Sequence, residues 1–102
     1  MKVTPGSRWK SATCTTEVVV VKAPKQEGEL ACGGEAMMPV AAERPAGRVP
    51  AAGFDGGTLI GKRYGEEASG IELLCTKAGA GALSFAGRLL EARTVKPLPS
   101  SD

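Results

Sequence analysis

Residues 17–23 read EVVVVKA, and residues 71–77 read IELLCTK. Each stretch contains a mostly apolar run between a glutamate and a lysine, and the first has four consecutive valines. Valine loses side-chain freedom in a helix and packs well on a pleated sheet. A short continuous apolar run is also typical of a strand buried on both faces. The two stretches therefore predict two buried strands at the centre of the fold.

The two strands belong to a longer internal repeat, in which residues 6–37 align with residues 61–90. The offset is 55 at first and becomes 53 after a two-residue deletion. The matched pairs are Gly6 with Gly61, Arg8 with Arg63, Trp9 with Tyr64, Glu17 with Glu72, Lys22 with Lys77, Ala23 with Ala78, Gly28 with Gly81, Leu30 with Leu83, Gly34 with Gly87 and Met37 with Leu90. Recurrence of turn glycines and apolar runs in the same order predicts a doubled small β unit.

Turn residues after each apolar run predict a strand that returns beside it, which makes a β-hairpin. The further strands are expected at residues 29–32, 58–64 and 82–85, with a short strand or turn at 9–15 and a strand or short helix at 88–95. The predicted fold class is all-β, with two tandem hairpin units packed on each other and little helix.

The composition shifts divide the chain into three segments. These are a first unit at residues 1–38, a linker rich in proline, alanine and glycine at 39–57, and a second unit with a frayed tail at 58–102. The linker has two interpretations: a spacer draped over the surface, or a strap that packs Val40, Val49 and Phe54 on the units or on a partner.

The small size of each unit predicts association. Each copy has about 30 residues, and chains below roughly 40 residues usually need a metal, a disulfide or a partner to stay folded. The whole chain of 102 residues has only four aromatic residues, so its core is expected to be thin. We therefore expect the copies to pack on each other, on a second chain, or both.

Composition argues against several function classes. The net charge is +2 with mixed signs, and no basic cluster with interleaved aromatic residues predicts nucleic-acid binding. No apolar stretch approaches 18 residues and no signal peptide is evident, which favours a cytoplasmic protein without a membrane span. Histidine is absent, so no Ser-His or Cys-His nucleophile pair exists within the chain, and we expect no enzyme activity. Three cysteines, an odd number, favour reduced thiols or metal ligands.

Residues 9–37 resemble the N-terminal iron-binding unit of desulforedoxin and desulfoferrodoxin, which is rubredoxin-like. In that family an aromatic-lysine pair precedes C-x-x-C, and a hairpin leads to an adjacent cysteine pair followed by glycine and methionine. The matching positions here are Trp9 and Lys10 for the opening pair, Ser11 and Cys14 for the first two ligands, Cys32 and Gly33 for the last two, and Gly34 and Met37 for the residues that follow. The second copy has Ser69 and Phe85 at the positions of Cys14 and Cys32.

This resemblance implies an iron or zinc site in which Cys14 and Cys32 are two of the ligands. A tetrahedral site needs four, so the others would come from the cysteines of a second chain, from a carboxylate such as Glu35, or from an external ligand. Two other interpretations of Cys14 and Cys32 stay open: a vestigial pair of free thiols, and a disulfide, which a reducing cytosol disfavours. Cys75 lies in the middle of a predicted strand and is expected to act as a small buried apolar residue.

Two functional hypotheses follow. The first is a small non-catalytic accessory or small-subunit module that associates with itself as a homodimer or with a larger enzyme subunit, because family members pair and this chain resembles such a pair fused. The alternative is a small metal-binding or electron-transfer protein that uses Cys14 and Cys32 to hold iron or zinc. Thiol redox chemistry ranks last, because it needs a lowered cysteine pKa and neither a helix N-terminus nor a histidine is expected to lower it.

Overall fold

The computed structural model describes residues 3–43 and 47–93, and within them the chain forms two antiparallel sheets and no helix. The all-β prediction is therefore confirmed. Since these residues include no helix, they include none that could span a membrane. The strands are β1 (Arg8–Lys10), β2 (Glu17–Lys22), β3 (Leu30–Cys32), β4 (Glu35–Ala36), β5 (Met38–Pro39), β6 (Arg63–Gly65), β7 (Glu72–Lys77), β8 (Leu83–Phe85), β9 (Arg88–Leu89) and β10 (Glu91–Arg93).

The strand order in each sheet is symmetric about its centre. One sheet runs β10-β6-β7-β2-β1-β5, and the other runs β4-β3-β8-β9. At the centres, Val19 lies opposite Leu74 and Ala31 lies opposite Ser84, which are equivalent positions in the aligned copies. Two copies of a five-strand unit related by a two-fold axis would give this strand order in both sheets. The internal repeat itself remains a prediction.

The two strands predicted from the valine run and its counterpart form the central pair of the larger sheet. Val18 and Val20 of β2 lie opposite Cys75 and Leu73 of β7, and all four side chains are buried. The intervening Val19, on the other face, is only half-buried. The prediction that these strands are buried on both faces is wrong, because the second sheet covers one face only.

A single core lies between the two sheets and draws on both halves of the chain. The smaller sheet contributes Leu30, Cys32, Leu83 and Phe85, each at most 2 % exposed. Phe85 of the second half lies directly opposite Leu30 of the first. The two predicted units thus share one core, in which aliphatic side chains predominate.

Two short strands fall where the sequence predicted no strand. Strands β4 and β5 lie at sheet edges, and Pro39 of β5 begins the segment predicted to be a linker. Proline has no N–H to donate to a ladder, so an edge strand is where a sheet tolerates it. The final segment, predicted at 88–95 as one strand or a short helix, forms two short strands, β9 and β10, in different sheets as far as Arg93, and the remainder lies outside the described residues.

The described part of the linker is tied to both halves of the molecule. Ala51 N donates to Gly33 O at 2.8 Å, and Phe54 O accepts a hydrogen bond from Ala82 N at 2.8 Å. Phe54 is half-buried, whereas Val40 and Val49 are exposed. The segment therefore behaves as a strap that packs through Phe54 and leaves its valines at the surface.

Candidate functional site

The loop between β1 and β2 and the end of β3 bring two cysteines together. Cys14 Sγ lies 3.9 Å from Cys32 Sγ, and neither residue forms a disulfide. Cys32 is the last residue of β3 and is fully buried, whereas Cys14 lies in the loop and is half-buried. The two residues named from sequence as candidate ligands therefore form one site, with Cys14 on its accessible side.

The hydroxyl of Ser11 organises the loop that carries Cys14. Ser11 Oγ accepts hydrogen bonds from Thr13 N at 3.0 Å and from Cys14 N at 3.1 Å. Thr13 Oγ1 in turn donates to Cys32 O at 3.2 Å, which ties the loop to β3. Ser11, at the position of the family's first cysteine, thus acts as a hydrogen-bond acceptor that holds the loop against the second thiol.

Polar neighbours around Cys14 lower its pKa. Gly81 N donates to Cys14 Sγ at 3.3 Å, and the Thr16 hydroxyl lies 3.2 Å from the same sulfur. Burial raises the pKa of Cys14, but hydrogen bonds with the side chains of Ser11 and Thr16 and with the backbone of Thr16 and Gly81 outweigh it and lower the pKa to about 7. The sequence analysis considered only a helix N-terminus or a histidine as a means of lowering a cysteine pKa, whereas hydroxyls and an amide lower that of Cys14 here.

The second cysteine of the pair is perturbed in the opposite direction. Burial, followed by repulsion from a charged Cys14, raises the pKa of Cys32 to about 12. At neutral pH the pair therefore carries at most one negative charge, and that charge lies on Cys14. The sequence signal for this arrangement was the S-x-x-C-x-T spacing of Ser11, Cys14 and Thr16, which the sequence analysis did not use.

Two glycines of the second half allow its loop to approach the cysteines. A Cβ atom at Gly79 would lie 2.6 Å from Thr16 N and 2.9 Å from Cys14 Sγ. A Cβ atom at Gly81 would lie 3.1 Å from Cys32 Sγ and 3.2 Å from Cys14 Sγ. Neither glycine has a positive φ, so it is the close approach and not a turn conformation that requires them. The turn residues after the second apolar run were expected only to form a hairpin, so this role was not predicted.

Thr58 holds that glycine loop in place. Its backbone pairs with Gly79 in both directions, at 2.9 and 3.1 Å, and its hydroxyl donates to Gly81 O at 2.6 Å. Thr58 is buried and follows the linker directly. The site is therefore built by both halves of the chain: the thiols come from the first half and their cover comes from the second.

The equivalent region of the second half carries no thiol pair. Phe85, at the position of Cys32, fills its space with an aromatic ring and leaves no room for a Cβ atom at Gly28. Glu66, at the position of Ser11, forms an exposed two-point ion pair with Arg88, at 2.8 and 3.0 Å. Hydrogen bonds from Arg88 outweigh burial and lower the pKa of Glu66. This half therefore provides packing and cover for the thiol site.

Cys75 lies apart from the pair, inside the core. It is almost fully buried in β7, and its Sγ donates to Lys77 O at 3.1 Å. Burial raises the pKa of this thiol. It behaves as the small buried apolar residue that its mid-strand position suggested.

The spacing of the thiol pair is compatible with two ligands of one metal ion. Two thiolates bound at about 2.3 Å to one tetrahedral ion lie about 3.8 Å apart, and the sulfurs of Cys14 and Cys32 are 3.9 Å apart. Residues 3–43 and 47–93 contain no group of three or more histidine, cysteine, aspartate or glutamate side chains that could hold a metal ion. Glu35, the carboxylate considered from sequence, is bound by Arg48.

The position of the family's fourth cysteine is not available for a side chain. Gly33 has a φ of +67°, which favours glycine, and a Cβ atom there would overlap with Thr13 Oγ1 and lie 3.1 Å from Pro50 Cα. The described residues therefore offer two ligands for a four-coordinate ion, which would need two further ligands from outside them.

The chain matches no protein-family model, and neither the curated proteins nor the solved structures give a match. The resemblance to desulforedoxin thus stays a prediction. Functional inference for this chain depends on the geometry of its own residues.

We expect the rate at which iodoacetamide alkylates Cys14 to rise as the pH increases through 7 and to level off about one to two pH units above it. The reason is that the thiolate is the nucleophile and the pKa of Cys14 is about 7. Cys32, buried and with a pKa of about 12, should stay unmodified over that range. Peptide mass spectrometry after timed alkylation measures both rates. A Cys14 rate that still rises severalfold between pH 8 and pH 9 would show an unshifted thiol.

Proposed function

We propose that this chain is a small non-catalytic β module that binds one thiophilic metal ion, zinc or iron, between Cys14 and Cys32. The proposal includes association with a second chain, either another copy or a larger subunit, which supplies the remaining ligands. The observation that carries it is the 3.9 Å separation of the two sulfurs, which suits two ligands of one tetrahedral ion.

The surroundings of Cys14 favour the ionised, metal-binding form of its thiol. A cysteine must lose its proton to bind a metal, and the hydrogen bonds to Cys14 stabilise its thiolate. The high pKa of Cys32 describes the metal-free pair, and a bound cation deprotonates a coordinating thiol outright. The buried position of Cys32 would limit loss of the ion to solvent.

Two observations support association. The described residues supply only two ligands, so a four-coordinate ion needs donors from outside them. In addition, Leu59 and Ile60 are adjacent and are 59 % and 66 % exposed, beside Thr58, which holds the loop that covers the thiols. A partner that buried this apolar pair would lie against the glycine loop of the site.

The test is a titration of the reduced full-length protein with zinc, followed by elemental analysis and native mass spectrometry. We expect about one ion per chain or per pair of chains, and an oligomer that forms together with metal uptake. Cys14→Ser and Cys32→Ser should each abolish uptake, because each removes one of the only two described ligands. Cys75→Ser is the matched control and should bind as the unmodified chain does.

Failure to bind zinc or iron, or binding that survives loss of Cys14, would reject the metal site. A metal-loaded monomer would reject the association part of the proposal. A folded, metal-free oligomer would leave association alone as the function.

A further inference from the structure

We propose that Cys14 and Cys32 also form a dithiol that reduces small disulfides, such as oxidised glutathione, by thiol–disulfide exchange. This activity goes beyond the proposed function, because it needs the two sulfurs and no metal ion. It differs from metal binding in its product, which is an internal Cys14–Cys32 disulfide.

The spacing of the sulfurs suits this product. A disulfide bond is about 2.05 Å long, so Cys14 Sγ and Cys32 Sγ, at 3.9 Å, need to approach by about 1.9 Å. Cys14 lies in the loop between β1 and β2 rather than within a strand, and Cys32 is the last residue of β3. Cys32 lies opposite Leu83 in the central strand pair of the smaller sheet. Movement of the loop that carries Cys14 can therefore supply the approach without breaking that pairing.

Unequal access gives the two cysteines different roles. Cys14 is half-buried and can meet a disulfide from solvent, whereas Cys32 is fully buried beneath it. Contacts with Gly81 N and the Thr16 hydroxyl fix the sulfur of Cys14 beside that of Cys32. Cys14 is thus placed to react first, and Cys32 is placed to attack the sulfur of Cys14 afterwards.

The exchange takes place in two steps. The Cys14 sulfur attacks one sulfur of R–S–S–R, the S–S bond breaks, and the departing R–S⁻ takes up the proton that Cys14 has released to become R–SH. Cys32 then gives up its proton and attacks Cys14 Sγ, which forms the internal disulfide and releases the second R–S⁻ as R–SH. The protein dithiol loses two electrons and two protons, and the disulfide substrate gains them.

The experiment treats the reduced full-length protein with oxidised glutathione in the presence of a chelator, so that no metal takes part. Intact-mass and peptide mass spectrometry identify the products. We expect the unmodified chain and Cys75→Ser to lose two hydrogens, to gain a Cys14–Cys32 link and to release two molecules of reduced glutathione per chain. Cys32→Ser should stop at a glutathione adduct on Cys14 and release half as much, and Cys14→Ser should form neither product.

Several outcomes would overturn the proposal. The proposal fails if Cys14 and Cys32 both stay reduced in a large excess of oxidised glutathione. It also fails if the disulfide that forms within the chain involves Cys75. An adduct that forms on Cys32 in the Cys14→Ser variant as fast as on Cys14 would remove the assigned order of attack. Because the chelated assay is separate from the zinc titration, failure of one proposal leaves the result for the other intact.

Discussion

Replacing Phe85 with alanine is expected to lower the free energy of unfolding by about 3–5 kcal/mol, as truncation of a fully buried phenylalanine does. Phe85 is completely buried, lies opposite Leu30 between the sheets and packs closely on Gly28. Domains of ordinary stability have a free energy of unfolding of about 5–15 kcal/mol. In a chain with only four aromatic residues, this one change removes a large share of that stability.

Leu89→Ala is the matched control for Phe85→Ala. Leu89 lies in β9, which pairs with β8, but it is 51 % exposed. Surface substitutions of this kind usually change stability by less than about 0.5 kcal/mol. Urea unfolding followed by the fluorescence of Trp9, which packs against the core, measures both variants. Equal urea midpoints for the two would contradict the central position of Phe85 in the core.

Replacing Gly79 with alanine is expected to lower the free energy of unfolding. Overpacking of this kind usually does so by about 1–3 kcal/mol, and we expect a value near the upper end of that range. The new Cβ atom would lie 2.6 Å from Thr16 N and 2.9 Å from Cys14 Sγ. A backbone nitrogen cannot move aside as the end of a long side chain can, so the glycine loop must shift away from the thiols. That shift would also weaken the hydrogen bond from Gly81 N to Cys14 Sγ, so we expect the pKa of Cys14 to rise.

Gly56→Ala is the control for Gly79→Ala. No atom lies within 4 Å of a Cβ atom at Gly56, and its φ is not in the left-handed region. A compatible glycine-to-alanine change stabilises a protein by about 0.4–1 kcal/mol through the unfolded chain. Urea unfolding and the pH dependence of Cys14 alkylation compare the two variants. Equal stability of Gly79→Ala and Gly56→Ala, together with an unchanged alkylation profile, would contradict the close approach of the loop at Gly79 and Gly81 to the thiol site.

Local sequence was sufficient to predict the class of the fold and most of its strands. The predicted strands at 17–23 and 71–77 correspond to β2 and β7, and the turn residues after them placed the returning strands β3 and β8 within one residue of their observed bounds. The edge strands β4 and β5 were missed, since two residues hold too little periodicity to signal a strand. The predicted strand at 58–64 starts later, at Arg63.

The sequence predicted the two cysteines of the candidate site but not their surroundings. Cys14 and Cys32 were singled out by type and spacing, and the structure places their sulfurs in contact. The donors that lower the pKa of Cys14 were not recognised, because the effect of Thr16 and Gly81 depends on distances of 3.2 and 3.3 Å that spacing along the chain does not specify.

By itself the sequence determined the all-β class, the central strands and the two cysteines, because each depends on residue type and on short-range periodicity. Only the tertiary structure decided that the halves share one core, that Cys14 and Cys32 differ in access and pKa, and that the loop at Gly79 and Gly81 covers them. Those properties arise between residues up to 67 positions apart. Packing of one half on the other sets such distances, and no local pattern encodes them.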